Sequence, residues 1–180
     1  MPQAFSVMAG NNRRAEGVRY EGYGPAGTAV LVDCLCADQR STQQTLRRVF
    51  EQHDGRLGAQ GAVSYLFRRV GRIDFPPGSD AAGLKRVAQL AGAEEVLVYP
   101  DASVAVLVDP AELAVARAVL TQDGFSPATA QVTEYAATNL RLTGAAAEAM
   151  RRFLEALNAL ADVRAVYSNA ELAEVHAAPA

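Results

Sequence analysis

Lysine is almost missing from this 180-residue chain: of its 17 basic residues, only Lys85 is not arginine. Histidine and cysteine are equally scarce, at two each. Cys34 and Cys36 lie two apart on a predicted strand and so face one side, a geometry that suits neither a relaxed disulfide nor a complete metal site. Reduced, half-buried thiols are expected, because free cysteine behaves as a small apolar residue. His53 stands at a predicted helix C-terminus, where the helix dipole favours a cation, and His176 stands in a tail, so structural or surface roles are expected for both. No nucleophile with a base, no carboxylate pair and no metal cluster assembles, so the chain is expected to be no enzyme and to need no metal or cofactor. The longest apolar runs, such as 104–108, have strand length and fall far short of the roughly 20 residues of a membrane helix. The first eight residues lack the basic start and sustained apolar core of a signal peptide. A soluble cytoplasmic protein with no membrane partner is expected.

What the chain does have is arginine, unevenly placed. Residues 1–75 hold ten arginines against seven carboxylates, whereas 76–180 hold seven basic against thirteen acidic groups. Any polyanion should meet the first part, and guanidinium suits phosphate. A GC-rich genome produces the same bias toward arginine.

Residues 1–17 lack periodicity and read as a flexible extension whose Arg13-Arg14 pair would lie against an anionic partner. Residues 20–27 are glycine-dense and read as a turn, running into an apolar strand over 28–36. It is no phosphate loop, since no Gly-Lys-Ser/Thr follows and a strand comes next. Ser41 and Gln44 have capping-box spacing for a helix whose inward face is Leu46, Val49, Phe50 and His53, leaving Arg40, Arg47 and Glu51 outward. Gly55 ends that helix, and Gly58 and Gly61 flank a loop into a strand over 62–67. The segment 68–71 reads as a basic turn leading to a strand at 72–75, which either of two sheets could hold. Pro76-Pro77-Gly78 opens a second unit: a helix with Leu84, Val87, Ala88 and Ala91, strands at 95–99 and 103–108, a helix starting at Asp109-Pro110, and a strand at 129–135. Thr143 begins a helix with Met150, Phe153, Leu154, Leu157 and Leu160 on one face, and 164–167 is the last strand. The expected fold is α+β, two nested ferredoxin-like layers. Residues 18–76 and 137–172 form the first, 77–136 the inserted second, and 173–180 a tail.

The run Tyr20-Glu21-Gly22-Tyr23-Gly24-Pro25-Ala26-Gly27, followed by His53-Asp54-Gly55-Arg56-Leu57-Gly58 and Gly61-Ala62-Val63-Ser64-Tyr65-Leu66-Phe67, resembles the YebC/PmpR family in order and spacing. Ala26 and Asp54 each stand where the family has glycine. The resemblance extends from about Val18 to the 162–169 stretch and implies the same nested arrangement. It also implies a regulator of gene expression: family members are DNA-binding transcriptional regulators or, in other branches, ribosome-associated translation factors. Members usually carry a helical domain before the glycine-rich stretch, for which this chain has no room, so it is expected to be a short form. Where they often show Asn-Arg-Asn-Arg-Thr, this chain has Asp38-Gln39-Arg40-Ser41-Thr42. With one arginine fewer, nucleic-acid affinity is expected to be weaker than in full-length members.

The expected partner-binding residues are Tyr20, Tyr23, Arg40, Arg47, Arg48, Arg56, Arg68 and Arg69, with Arg72 and Tyr65 nearby in sequence. Arginines would contact phosphate and tyrosines would stack. Gly22, Gly24, Gly27, Gly55, Gly58 and Gly61 would shape the backbone and let it approach a partner closely. The 20–27 turn, Arg40 and Arg47, and the 56–61 loop are expected on one surface, since the helix must cross back over the sheet its turn feeds. DNA, RNA or the ribosome is the expected partner. The alternative is a protein- or small-molecule-binding module, because ferredoxin-like sheets bind many things.

Overall fold

The computed structural model describes residues 15–172, so Arg13, Arg14 and His176, with most of the expected extension and the whole tail, lie outside the described residues. In chain order the elements are β1 Glu16–Tyr23, a 3-10 turn Pro25–Gly27, β2 Ala29–Cys36, α1 Gln39–Gln52, β3 Arg56–Leu57, a 3-10 turn Ser64–Leu66, β4 Phe67–Phe75, α2 Ala81–Leu90, β5 Glu95–Val98 and β6 Val104–Val108. A 3-10 turn Pro110–Glu112 then leads into α3 Leu113–Gln122, β7 Thr129–Ala136, β8 Leu140–Leu142, α4 Gly144–Asn158, β9 Val163–Ser168 and β10 Ala170–Leu172. The fold is α+β. It divides into unit 1, made of the described residues through Phe67 and from Ala136 onward, and unit 2, Arg68–Tyr135, inserted within it.

In unit 1 the glycine-dense stretch is a strand rather than a turn. β1 pairs antiparallel with β2 from Glu16↔Cys36 to Tyr23↔Ala29. Gly22 serves close approach here: a Cβ on it would lie 2.6 Å from both the Arg56 carbonyl oxygen and the Phe50 ring. The true turn is confined to Pro25–Gly27, where Ala26 (φ 57°) and Gly27 (φ 77°) are left-handed. The sheet order is β3-β1-β2-β9, opening on a hairpin ahead of α1, and β8 and β10 form a separate parallel pair. On β2, Val30, Val32, Cys34 and Cys36 face Leu46, Phe50, Met150, Phe153 and Leu157 of α1 and α4, with the Phe50 and Phe153 rings edge to face at 4.9 Å. Cys34 and Cys36 are free thiols, fully buried rather than half-buried. Burial, with Cys36 beside it, pushes the Cys34 thiol up to about 12. Ala29 and Leu31 point the other way and are covered by Val63 and its neighbours, so β2 is buried on both faces.

The start of α1 also differs from expectation. Asp38, not Ser41, is the N-cap, its carboxylate accepting from the Arg40 amide at 3.0 Å and the Ser41 amide at 3.5 Å. An ionised acceptor outcompetes a hydroxyl three residues later, and its negative charge suits the helix N-terminus.

The hairpin with a basic turn is absent. Residues 68–71 lie inside the nine-residue strand β4, which pairs with β6 from Gly71↔Val108 to Phe75↔Val104 and has β7 on its other side. The first boundary of unit 2 therefore falls after Phe67, ahead of Pro76. Pro76-Pro77-Gly78 terminates a strand of unit 2 instead of separating the units, because proline cannot donate to the ladder. Unit 2 runs βαββαβ with sheet order β5-β6-β4-β7, the ferredoxin-like arrangement. Ile73, Phe75, Val104, Val106 and Val108 of its sheet bury against Leu84 and Val87 of α2 and Ala116 and Leu120 of α3.

Candidate nucleic-acid interface

Alternation along β1 places Val18 and Tyr20 among the helix-side core residues and sends Arg19, Glu21 and Tyr23 to the other side of the sheet. Arg19 meets Asp33 directly across the ladder, at 2.6 and 2.8 Å. Glu21 is only 5% exposed. Its carboxylate accepts from the backbone N–H of Gly61 at 2.8 Å and of Val63 and Ser64 at 2.9 Å each, while its carbonyl accepts from Gly58 N at 2.8 Å. Burial alone would raise its pKa; the three N–H groups outweigh burial and hold it below the ordinary carboxylate value. This residue ties the 58–64 loop to the sheet, and sequence reasoning missed it. The available signal was a single acid on the strand side opposite Tyr20 and Gly22, followed later by a glycine-rich loop with uncommitted amides.

The tied loop ends in the 3-10 turn that carries Tyr65, whose side chain is 74% exposed. The two tyrosines of the glycine-rich run are spent internally. Tyr20 donates to the Gln39 carbonyl at 3.2 Å and lies 3.8 Å from Cys36 Sγ, and burial followed by the Cys36 thiol raises its pKa. Tyr23 donates to the Ala62 carbonyl at 3.1 Å. Gly24, Gly55 and Gly58 sit where an added Cβ would come within 3 Å of Phe153, the Tyr23 carbonyl and Ala62 respectively, so they serve internal packing; Gly27 and Gly61 face open space.

The arginines fall into two groups. Arg40, Arg47 and Arg48 are exposed on α1, with Arg40 and Arg47 on one face two turns apart. Arg56 is exposed and stands opposite Tyr23 in the ladder, so it shares the loop side of the sheet. The sheet thus lies between α1 and the 58–66 loop, and the helix arginines and the loop occupy two sides instead of one surface. Arg68, Arg69 and Arg72 belong to β4 of unit 2. Arg68 is paired with Glu94 and with Glu95 at 3.3 Å, and lies 5.5 Å above the Tyr135 ring. Arg72 pairs with Asp74 at 2.8 Å and donates to the Tyr99 hydroxyl at 3.3 Å; burial disfavours its charge, but Asp74 outweighs burial and raises its pKa. Among the described residues, Arg40, Arg47, Arg48, Arg56 and Arg69 make no ion pair.

With the boundary after Phe67, the charge asymmetry along the chain shrinks to a neutral unit 1 beside a mildly acidic unit 2. Residues 1–67 with 136–180 hold eleven arginines and eleven carboxylates, and 68–135 hold six basic and nine acidic groups. Any case for an anionic partner rests on where individual guanidiniums stand, not on net charge. Among the described residues no group of three or more His, Cys, Asp or Glu could hold a metal, and no helix is long and apolar enough to cross a membrane.

Comparison with known proteins places this geometry in a family. The pattern of the TACO1/YebC second and third domain matches residues 15–170. A probable transcriptional regulatory protein of Francisella tularensis subsp. novicida is 40% identical over 159 residues, covering 88% of this chain and 64% of that protein. One of Coxiella burnetii is 42% identical over 157 residues, covering 87% and 64%. The crystal structure of a conserved hypothetical protein from Aquifex aeolicus aligns with a TM-score of 0.76 at 31% identity, covering 96% of this chain and 71% of that one. The chain spans 64% of the length of these curated relatives.

Proposed function

This chain belongs to the TACO1/YebC family of regulatory proteins, and from that footing we propose that it is a non-enzymatic cytoplasmic regulator of gene expression that binds nucleic acid, free or within the ribosome. The observation that carries the reading is the outer face of α1, where Arg40, Arg47 and Arg48 stand exposed, with no ion pair among the described residues, on a helix fixed by its buried face. Guanidinium groups that are not neutralised from within attract phosphate and release its counterions on binding.

The test is fluorescence anisotropy of labelled RNA and duplex DNA across a salt series. Wild type should bind with a negative slope of log affinity against log salt. The triple substitution R40A/R47A/R48A should flatten that slope by about two units or more. Absence of salt-dependent binding to any nucleic acid or to ribosomes overturns the reading and favours a protein partner.

A further inference from the structure

We propose that Tyr65 is a base-stacking residue for single-stranded nucleic acid, held ready by Glu21 as its positioning residue. The inference rests on the nucleic-acid reading above and narrows its ligand class. Tyr65 is the most exposed aromatic among the described residues, while Tyr20 and Tyr23 have committed hydroxyls and lie partly buried. An exposed ring of this size on a loose loop would lose conformational freedom on binding. Here the backbone on both sides is already fixed. Ser64 N donates to Glu21, Leu66 N to the Val63 carbonyl at 3.0 Å, and the Val63 side chain is wholly buried beneath Leu31. A preordered aromatic binds at less entropic cost than a mobile one.

The chemistry selects the ligand. A phenol face stacks on any base whose own face is free, and in a duplex those faces are covered by neighbouring base pairs. Single strands, including loops and ends of structured RNA, are therefore the matching class. Arg56 shares the loop side of the sheet, exposed and with no ion pair among the described residues, and supplies the phosphate contact. The tyrosines of unit 2 do not compete for this role. Tyr135 and Tyr99 lie against Arg68 and Arg72, beside Glu94, Glu95 and Asp74, which repel phosphate.

The chain has no tryptophan, so Tyr65→Trp places a sole indole at the proposed stacking position. Titration with an oligouridine of about 12 nucleotides should quench its emission saturably, and a duplex DNA of equal length should not. In anisotropy, Tyr65→Ala should bind the oligouridine roughly tenfold or more weakly with an unchanged salt slope, and Tyr65→Phe should bind as wild type. Adding Glu21→Gln to the tryptophan variant should reduce the quenching amplitude without changing the slope. Salt-dependent binding with no quenching and an undiminished Tyr65→Ala overturns this inference and leaves the α1 reading standing. Equal weakening toward single strand and duplex overturns stacking specifically, and loss of all nucleic-acid binding in wild type overturns both.

Discussion

Two sets of arginines, one in each unit, show how little composition says about role. On the unit 2 sheet, Arg68 and Arg72 are held by Glu94, Glu95 and Asp74 and lie over Tyr135 and Tyr99. On α1, Arg40, Arg47 and Arg48 face solvent and make no ion pair among the described residues, although Glu51 stands one turn beyond Arg47. A guanidinium already neutralised by its own chain organises that chain and has little field left for a partner. One left unpaired adds nothing to the fold and keeps its full attraction for phosphate. Arg19 on Asp33 and Glu21 under the 58–64 loop extend the first category into unit 1.

Removing each set in turn tests this contrast. The largest effect is expected on binding: R40A/R47A/R48A should lose roughly tenfold or more in nucleic-acid affinity at low salt, while each exposed substitution changes stability by no more than about 0.5 kcal/mol. If the melting temperature collapses with affinity, α1's arginines belong with the committed set. Next comes Glu21→Ala, which strands three inward amides and should cost about 3 kcal/mol in urea unfolding. Because the folded pKa of Glu21 is depressed, its contribution is present above the unfolded value near 4.5 and is lost as pH falls through the lower folded value. Glu21→Gln should flatten that acid limb, and identical limbs in the two proteins would show that Glu21 carries none of it. R68A/R72A comes third, at about 1–2 kcal/mol of stability for two partly exposed networks, with nucleic-acid affinity unchanged; a loss of affinity would erase the distinction between the sets. The smallest effect is a gain. Ala26 and Asp54 both hold left-handed backbone, at φ 57° and 56°. Ala26→Gly should relieve strain worth roughly 0.5–1 kcal/mol net of glycine's own entropy, with less from Asp54→Gly because aspartate tolerates that region. Thermal melts decide it, and a destabilised Ala26→Gly would mean the turn is not strained.

Much of the fold was legible where burial is periodic. The α1 face of Leu46, Val49 and Phe50, the α4 face of Met150, Phe153 and Leu157, and the continuous apolar strand β6 all follow from local spacing. What was illegible depended on partners far along the chain. Residues 20–24 read as a turn because glycine is usually punctuation, yet Gly22 is there because Phe50 and Arg56 leave no room for a methyl group. Arg68-Arg69 read as a solvent-facing turn, because the acids at 94 and 95 that make a strand position tolerable for Arg68 come about 26 residues later. Of the candidate site, exposure of Arg40 and Arg47 followed from helical phase. Their separation from the 58–66 loop did not, because which side of a sheet a loop covers is set by the register of β1 against β2 and β3.

The nesting has a consequence for the order of events on a chain emerging from its N-terminus. β2 cannot complete its sheet until β9 arrives, with Val30 pairing to Ser168 across nearly the whole chain. Every strand of the inserted sheet has been made by Ala136. The host must hold the apolar face of β2 unsatisfied while its guest finishes, so contacts of long sequence separation close last. The guest matures before its host, and the exposed interval falls on the half that carries the α1 arginines.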